Sequence, residues 1–193
     1  MDKENNLDFV GWDLRKALGL LYKGNPPLME WLSSPMVYME VPEAINELKR
    51  LSGDYYDKKS AIYHYLHMAG GNWNSYIKGR EVVTLKKYLY IIRPLLACHY
   101  IEHKGAMPPM EIDKTLALWA QYKNPTVDRI RALIADKKAG VELGSGAMIP
   151  ELNYWIEQND AYYYNYVKTL ENKEKTTAAL DKYLFKWMKE SWQ

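Results

Sequence analysis

The sequence predicts a mainly α protein: a helical bundle with one short β-strand at its N-terminus. Apolar residues recur at helical spacing through most of the 193-residue chain, in blocks separated by Gly and Pro. Hydrophobic residues make up 48% of the chain, which is enough for a packed core. The polar–apolar alternation of a half-buried strand is confined to Asn6, Leu7, Asp8, Phe9 and Val10. The aromatic set, 17 Tyr and 7 Trp against 2 Phe, suits partly exposed helix faces, because most of these rings carry a polar tip that wants a partner or water.

The elements follow in order. A strand is expected over 6–10. After Gly11, Asp13 is placed to cap a helix that turns Leu14, Ala17, Leu18 and Leu21 to one face and stops near Gly24 and Asn25-Pro26-Pro27. A short helix over 28–32 closes at Ser34-Pro35, and Pro42 opens another that buries Ala44, Ile45 and Leu48 until Leu51-Ser52-Gly53 breaks it. A longer helix over 57–69 is expected to end at Gly70-Gly71-Asn72, with a short segment over 73–77 leading to Gly79. The most apolar helix, over 85–103, should be kinked by Pro94, which lacks a backbone donor, and should lie at the centre of the bundle.

Pro108-Pro109 opens a helix over 110–122, and Pro125 starts one that buries Val127, Ile130, Leu133 and Ile134 before Gly140. Leu143-Gly144-Ser145-Gly146 reads as a flexible connector to two closing helices over 150–170 and 175–192. Neither an internal repeat nor a low-complexity tract is evident. The chain is thereby divided into 1–12, a helical domain over 13–140 and a helical extension over 141–193.

Charge and cysteine usage narrow the function classes. The formal charge is +2, from 26 basic and 24 acidic residues, so a surface for nucleic acid must be a local patch rather than a global excess. The single cysteine, Cys98, excludes an intramolecular disulfide and a multi-cysteine zinc site; it sits on an apolar face beside Leu95 and Ile101 and reads as a small buried hydrophobe. Met1-Asp2-Lys3-Glu4-Asn5-Asn6 lacks the apolar core of a secretory signal, and charges interrupt every later apolar run before membrane-spanning length, so a cytoplasmic protein without membrane insertion is expected.

The most specific segment is Gly11-Trp12-Asp13-Leu14-Arg15-Lys16-Ala17-Leu18, followed by Asn25-Pro26 and Glu30-Trp31-Leu32-Ser33-Ser34-Pro35. With Tyr63-His64-Tyr65-Leu66-His67-Met68-Ala69, Lys86-Lys87-Tyr88-Leu89-Tyr90, Arg93-Pro94-Leu95-Leu96-Ala97-Cys98 and Pro108-Pro109, it resembles the predicted nucleotidyltransferases of the DNA polymerase beta superfamily that are assigned to an RNA-repair pathway. The resemblance covers most of roughly the first 110 residues. It implies a preceding catalytic half with a Gly-Ser pair followed by an Asp-x-Asp pair, a combination this sequence lacks, so 1–12 is expected to be the remnant of that half's sheet.

Nucleotidyl transfer needs two metal ions about 3.5 to 4 Å apart, held by converging carboxylates. The resemblance places Asp8 where the third of three acids belongs, as a Mg2+ ligand able to take the acceptor's proton in a completed enzyme; the competing reading is a solvated acid near a chain end. A single carboxylate does not organise two Mg2+ ions. Gly144-Ser145-Gly146 looks superficially like the phosphate-gripping element, but no strand with paired acids follows it. Asp13 is read as a helix cap rather than a metal ligand.

Candidate binding residues fall into three groups. Arg15 and Lys16, on the first turn beside the presumed active-site strand, can meet a triphosphate or the acceptor backbone, or can simply face water. Lys86, Lys87, Tyr88, Tyr90 and Arg93 are the densest basic and aromatic group, and Lys86, Tyr90 and Arg93 share one helix face, with cations for phosphates and a ring for a base. The alternative there is tyrosines packed as core and cations snorkelling to water. His64 can touch a nucleotide, although structural roles suit the histidines of 63–67 better than zinc, since no third ligand lies nearby in sequence. Tyr162, Tyr163, Tyr164 and Tyr166, with Tyr183, Trp187 and Trp192 further on, can stack on single-stranded RNA or pack against the bundle.

Three functions fit these features. The first is the helical C-terminal part of a nucleotidyltransferase, inactive alone, either a truncated product or half of a split enzyme completed by a separate catalytic half, with nucleoside triphosphate and RNA as ligands. The second is a nucleotide- or RNA-binding module without catalysis. The third is a structural interaction protein.

Overall fold

The computed structural model describes residues 10–121, 126–140 and 143–190. Helices α1 (Leu14–Tyr22), α2 (Pro26–Leu32), α3 (Pro42–Tyr55) and α4 (Lys58–Tyr76) come first, then strand β1 (Val82–Thr84) and helix α5 (Lys86–Lys104). Helices α6 (Ile112–Trp119) and α7 (Thr126–Lys138), strand β2 (Ser145–Ala147) and helices α8 (Pro150–Tyr166) and α9 (Ala178–Glu190) complete the order, with a 3-10 turn, Val167–Thr169, after α8. The mainly α class is as the sequence predicts. The expected strand over 6–10 lies outside the described residues except for Val10, which is not in a strand.

Local signals fix the helix ends. The Asp13 carboxylate accepts from the Lys16 amide at 2.8 Å, and the Asn25 side chain accepts from the Leu28 amide at 3.1 Å ahead of Pro26 at the start of α2. Between these helices Gly24 has φ +68°, a left-handed conformation that side chains rarely adopt, so glycine suits the turn. Asp57 caps α4 through Lys59 and Ser60, and its second oxygen faces Lys175 at 3.6 Å in a nearly buried pair.

Two expected breaks do not occur. Helix α3 runs through Gly53 to Tyr55, because Leu51 and Tyr55, one turn apart, are both buried and their packing outweighs the roughly 1 kcal/mol that a helical glycine costs. Helix α4 runs through Gly70 and Gly71 to Tyr76, for Ala69, Trp73 and Ile77 continue one core-facing row at four-residue spacing. Its end comes at Gly79, with φ +72°.

The expected flexible connector is also corrected. Ser145–Ala147 pairs antiparallel with Val82–Thr84 in the register Val82↔Ala147, Val83↔Gly146 and Thr84↔Ser145. Gly146 fits because an added Cβ there would lie 3.2 Å from Leu85 Cδ1. This ribbon fastens the segment before α8 to the start of α5, so Gly144-Ser145-Gly146 serves pairing rather than phosphate binding.

Two cores result. The larger packs α4, α5, α6, α7 and α8 around Ile62, Leu66, Ile92, Leu96, Ile130 and Trp155. The smaller joins α1, α2, α3 and α9 through Leu21, Met29, Leu51 and Tyr183, while Tyr56 and Met107 pack against both. The residues after 141 are thus shared between the cores, α8 going to the larger and α9 to the smaller. Helix α5 is central as expected: it contributes ten buried residues and continues through the buried Pro94 until Gly105, at φ +64°.

Tyr88 belongs to this framework. Fully buried, its hydroxyl donates to Asn153 Oδ1 at 2.6 Å and accepts from the Ile149 amide at 3.0 Å, which locks the start of α8 onto α5. Tyr88→Phe strands both partners, so urea unfolding should show a loss of about 1–3 kcal/mol, and an unchanged midpoint would contradict this role.

Candidate functional site

The exposed side of α5 is narrow. Of its first nine residues, 86–94, Tyr88, Ile91, Ile92 and Pro94 are buried, and Lys86, Tyr90 and Arg93 are exposed on one stripe. Lys87 Nζ lies 3.7 Å from the Tyr76 ring centroid and 4.9 Å from that of Tyr90, so the last turn of α4 and the first turns of α5 form an aromatic cradle for one cation. Tyr90, Arg93, Glu30, Tyr65, Met68 and Asn72 line a cavity of about 240 Å³ between α2, α4 and α5.

Glu30 orders the floor of this cavity. Its carboxylate accepts from the Tyr65 hydroxyl at 2.5 Å. Burial, and then this bond, raise the Tyr65 hydroxyl well above the usual phenol range, whereas the Arg93 charge pulls it down. Tyr65 therefore stays a neutral donor. Among the described residues Arg15, Lys16, Lys86 and Arg93 have no ion-pair partner. An anion that enters the cavity meets the Arg93 guanidinium.

His64 lies on the other side of Tyr65, their rings 5.4 Å apart edge to face. With Lys23, Asn25, Ser60, Tyr63 and His67 it lines a second and more open cavity of about 530 Å³. Burial holds the His64 imidazole below its usual pKa, against the opposing pull of Glu30. The Glu30 charge thus acts on both cavities.

The structure brings together Lys87, Tyr90 and Arg93 of the expected residues, with Lys86 on the same stripe and His64 in the adjoining cavity. Tyr88 is corrected: with no exposed surface, it cannot stack on a base. Arg15 and Lys16 are exposed on α1, which packs on α2, α3 and α9 and not as part of the α5 stripe. Asp8 lies outside the described residues. Sequence reasoning missed Glu30, Tyr65 and Tyr76 as parts of this face. The signal for Tyr76 was its place seven residues after Ala69 on a helix that does not stop at Gly70.

Among the described residues no three carboxylates converge, so these residues alone do not hold a two-Mg2+ centre and no step through Mg2+ follows from them. The tyrosine run divides by face. Tyr163 is buried, while Tyr162 and Tyr164 are half-exposed and Tyr162 donates to Glu102 at 2.5 Å.

A further surface stands out. Trp12 and Trp31 stack at 4.2 Å and 14°, and beside Trp31 the chain exposes Met36, Val37, Tyr38 and Met39, with Tyr38 97% exposed. Contiguous exposed apolar side chains of this kind mark a contact surface.

The family model described as the RNA repair pathway DNA polymerase beta family (RlaP) matches residues 1–186. The chain belongs to this family. It is also similar to the uncharacterised protein YcgL of Bacillus subtilis (strain 168), with 36% identity over 189 residues, which are 97% of this chain and 72% of that relative. No solved structure matches it. Among the cavity-lining residues, Asn25, Glu30, Tyr63, His64, Tyr65, His67, Met68, Tyr90 and Arg93 fall within the stretches that carry the family resemblance.

The opposing influences on His64 give a measurable prediction. Its imidazole should titrate in NMR below the usual 6.5, and Glu30→Gln, which removes the charge that raises it, should move the midpoint lower still. Because the unfolded chain then takes up the proton first, this group costs stability as pH falls below about 6.5. A midpoint at or above 6.5, or an upward move in Glu30→Gln, would contradict the geometry.

Proposed function

We propose that this chain is the helical, nucleotide- and RNA-facing part of a metal-dependent nucleotidyl transfer system, and that transfer requires a catalytic half carrying the Gly-Ser and Asp-x-Asp pairs. The observation that carries this reading is Arg93, without an ion-pair partner among the described residues, beside Tyr90 in a cavity that Tyr65 and Glu30 also line. Family membership supports the chemistry.

In this reading Lys86, Lys87 and Arg93 meet phosphates by charge-assisted bonds, and Tyr90 stacks on a base. His64, kept neutral, hydrogen-bonds the nucleotide, while Arg15 and Lys16 meet the triphosphate or acceptor backbone. Asp8 would complete the acid trio around Mg2+ with the two acids of the catalytic half. The exposed Met36, Val37, Tyr38 and Met39 beside the Trp12–Trp31 stack offer that half an apolar contact. Among the described residues no helix is long and apolar enough to cross a membrane, and a cytoplasmic location suits an RNA acceptor.

A binding module without catalysis is the second reading, favoured by the same cation stripe if no catalytic half exists. The two separate experimentally. With Mg2+, labelled nucleoside triphosphates and RNA, the chain alone should incorporate nothing, and adding the Gly-Ser/Asp-x-Asp half of a longer relative should start incorporation. Robust transfer by the chain alone would overturn the division of labour, and silence in both conditions would favour the module.

For RNA binding itself, replacing both Lys86 and Arg93 with Ala should weaken affinity across sequences and reduce the salt slope by about 2, one per lost phosphate contact. An unaltered slope would remove these residues from the interface.

A further inference from the structure

We propose that Glu30 and Asn72 make the cavity between α2, α4 and α5 selective for guanine among the nucleobases. This rests on the reading that a nucleotide enters there, and it adds which one. At about 240 Å³ the cavity lies below the range of about 300–1,000 Å³ that encloses a whole drug-sized ligand. It therefore suits one base, with the phosphates left outside toward the exposed stripe of α5.

The chain's own hydrogen bonds decide what the walls offer that base. Glu30 Oε1 accepts from the Tyr65 hydroxyl at 2.5 Å. A carboxylate oxygen has two lone pairs, so Oε1 keeps one of them. Oε2, which has no hydrogen bond or ion pair among the described residues, keeps both. Asn72 donates from Nδ2 to the Met68 carbonyl oxygen at 2.8 Å. That oxygen can only accept, so the amide group facing it is the NH2, and Asn72 Oδ1 is left as an acceptor. The Tyr65 proton is already given to Glu30. The cavity thus presents a fork of carboxylate oxygens and an amide oxygen, from two different helices that only the packing of α2 on α4 brings together.

Guanine matches this set. Its Watson–Crick edge carries N1–H beside N2–H2, two adjacent donors for the two oxygens of a carboxylate. Adenine and cytosine each set one amino group beside a ring acceptor, and uracil sets one N–H between two carbonyl oxygens, so each turns a lone pair toward Glu30. Glu30 takes N1–H and one N2–H as charge-assisted bonds, and Asn72 Oδ1 takes the other N2–H. Tyr90 adds a ring for stacking but no selection, since every base has a π-face. Both reading residues are half-buried, so a wrong base leaves acceptors unpaired where water reaches them poorly.

Calorimetric titration of the full chain with GTP, ATP, CTP, UTP and inosine triphosphate, which lacks the N2 amino group, tests the selection. GTP should bind at least about tenfold tighter than ATP, CTP or UTP, with inosine triphosphate in between. Short RNAs ending in G or A, titrated alongside, separate a free nucleotide from a strand end as the source of the guanine; a preference for guanine in either set supports the selection. Glu30→Gln, close in shape and still able to accept from Tyr65, should lower GTP affinity at least about tenfold. It should hold or raise ATP affinity, because a glutamine amide pairs with adenine, and that retained binding shows the variant to be folded. Equal affinities within both sets, inosine triphosphate binding as tightly as GTP, or a guanine preference that survives Glu30→Gln would each overturn the selection and leave the nucleotide site standing. Equal loss of every nucleotide in Glu30→Gln would make Glu30 a structural prop and overturn it as well. Binding of no nucleotide by the parent chain would overturn the site itself.

Discussion

Burial of α5 on all sides but one governs how the rest of this protein is arranged. Tyr88, Ile91, Ile92, Leu95, Leu96 and Cys98 are at most 1% exposed, so the bundle closes around this helix and leaves water only the line through Lys86, Tyr90 and Arg93. Helix α4 lies along it and continues past Gly70, which carries Tyr76 far enough to flank Lys87. The short ribbon between Val82–Thr84 and Ser145–Ala147 then fixes where α8 begins, and Tyr88 bolts that start to the central helix. The polar stripe is what remains after the apolar faces have been satisfied.

Glu30 performs the corresponding task for the electrostatics. A carboxylate in the same cavity as Arg93 would oppose an anionic ligand, but its bond to Tyr65 turns it into a scaffold for a neutral donor. Arg93 keeps its charge uncommitted among the described residues, and His64 is kept neutral by burial against the pull of that same carboxylate. The arrangement offers cations, rings and neutral donors together, as recognition of a nucleotide's phosphates and base requires.

The bundle and most of its helices were legible in the sequence because their signals are local. Asp13 and Asn25 cap where their side chains demand, and the apolar run around Ile91 to Leu96 announces the central helix. The two helical glycine sites misled because a propensity of about 1 kcal/mol is weak against burial of Tyr55 or Ile77. The ribbon was invisible since three residues per strand carry no period. Tyr88 could have been set apart from the binding group by spacing alone: two residues from both Lys86 and Tyr90, it points to the opposite face. Glu30 was not legible, for its partner Tyr65 is 35 residues away and only the packing of α2 on α4 joins them.

Membership in the RNA repair pathway DNA polymerase beta family and the geometry of this face converge on one claim, that nucleotide enters between α2, α4 and α5. Backbone amide chemical-shift mapping of the full chain with a nucleoside triphosphate tests it directly. The account predicts saturable shifts concentrated at Glu30, Tyr65, Tyr90 and Arg93. Saturable shifts confined to another surface, or none at millimolar nucleotide, would contradict it.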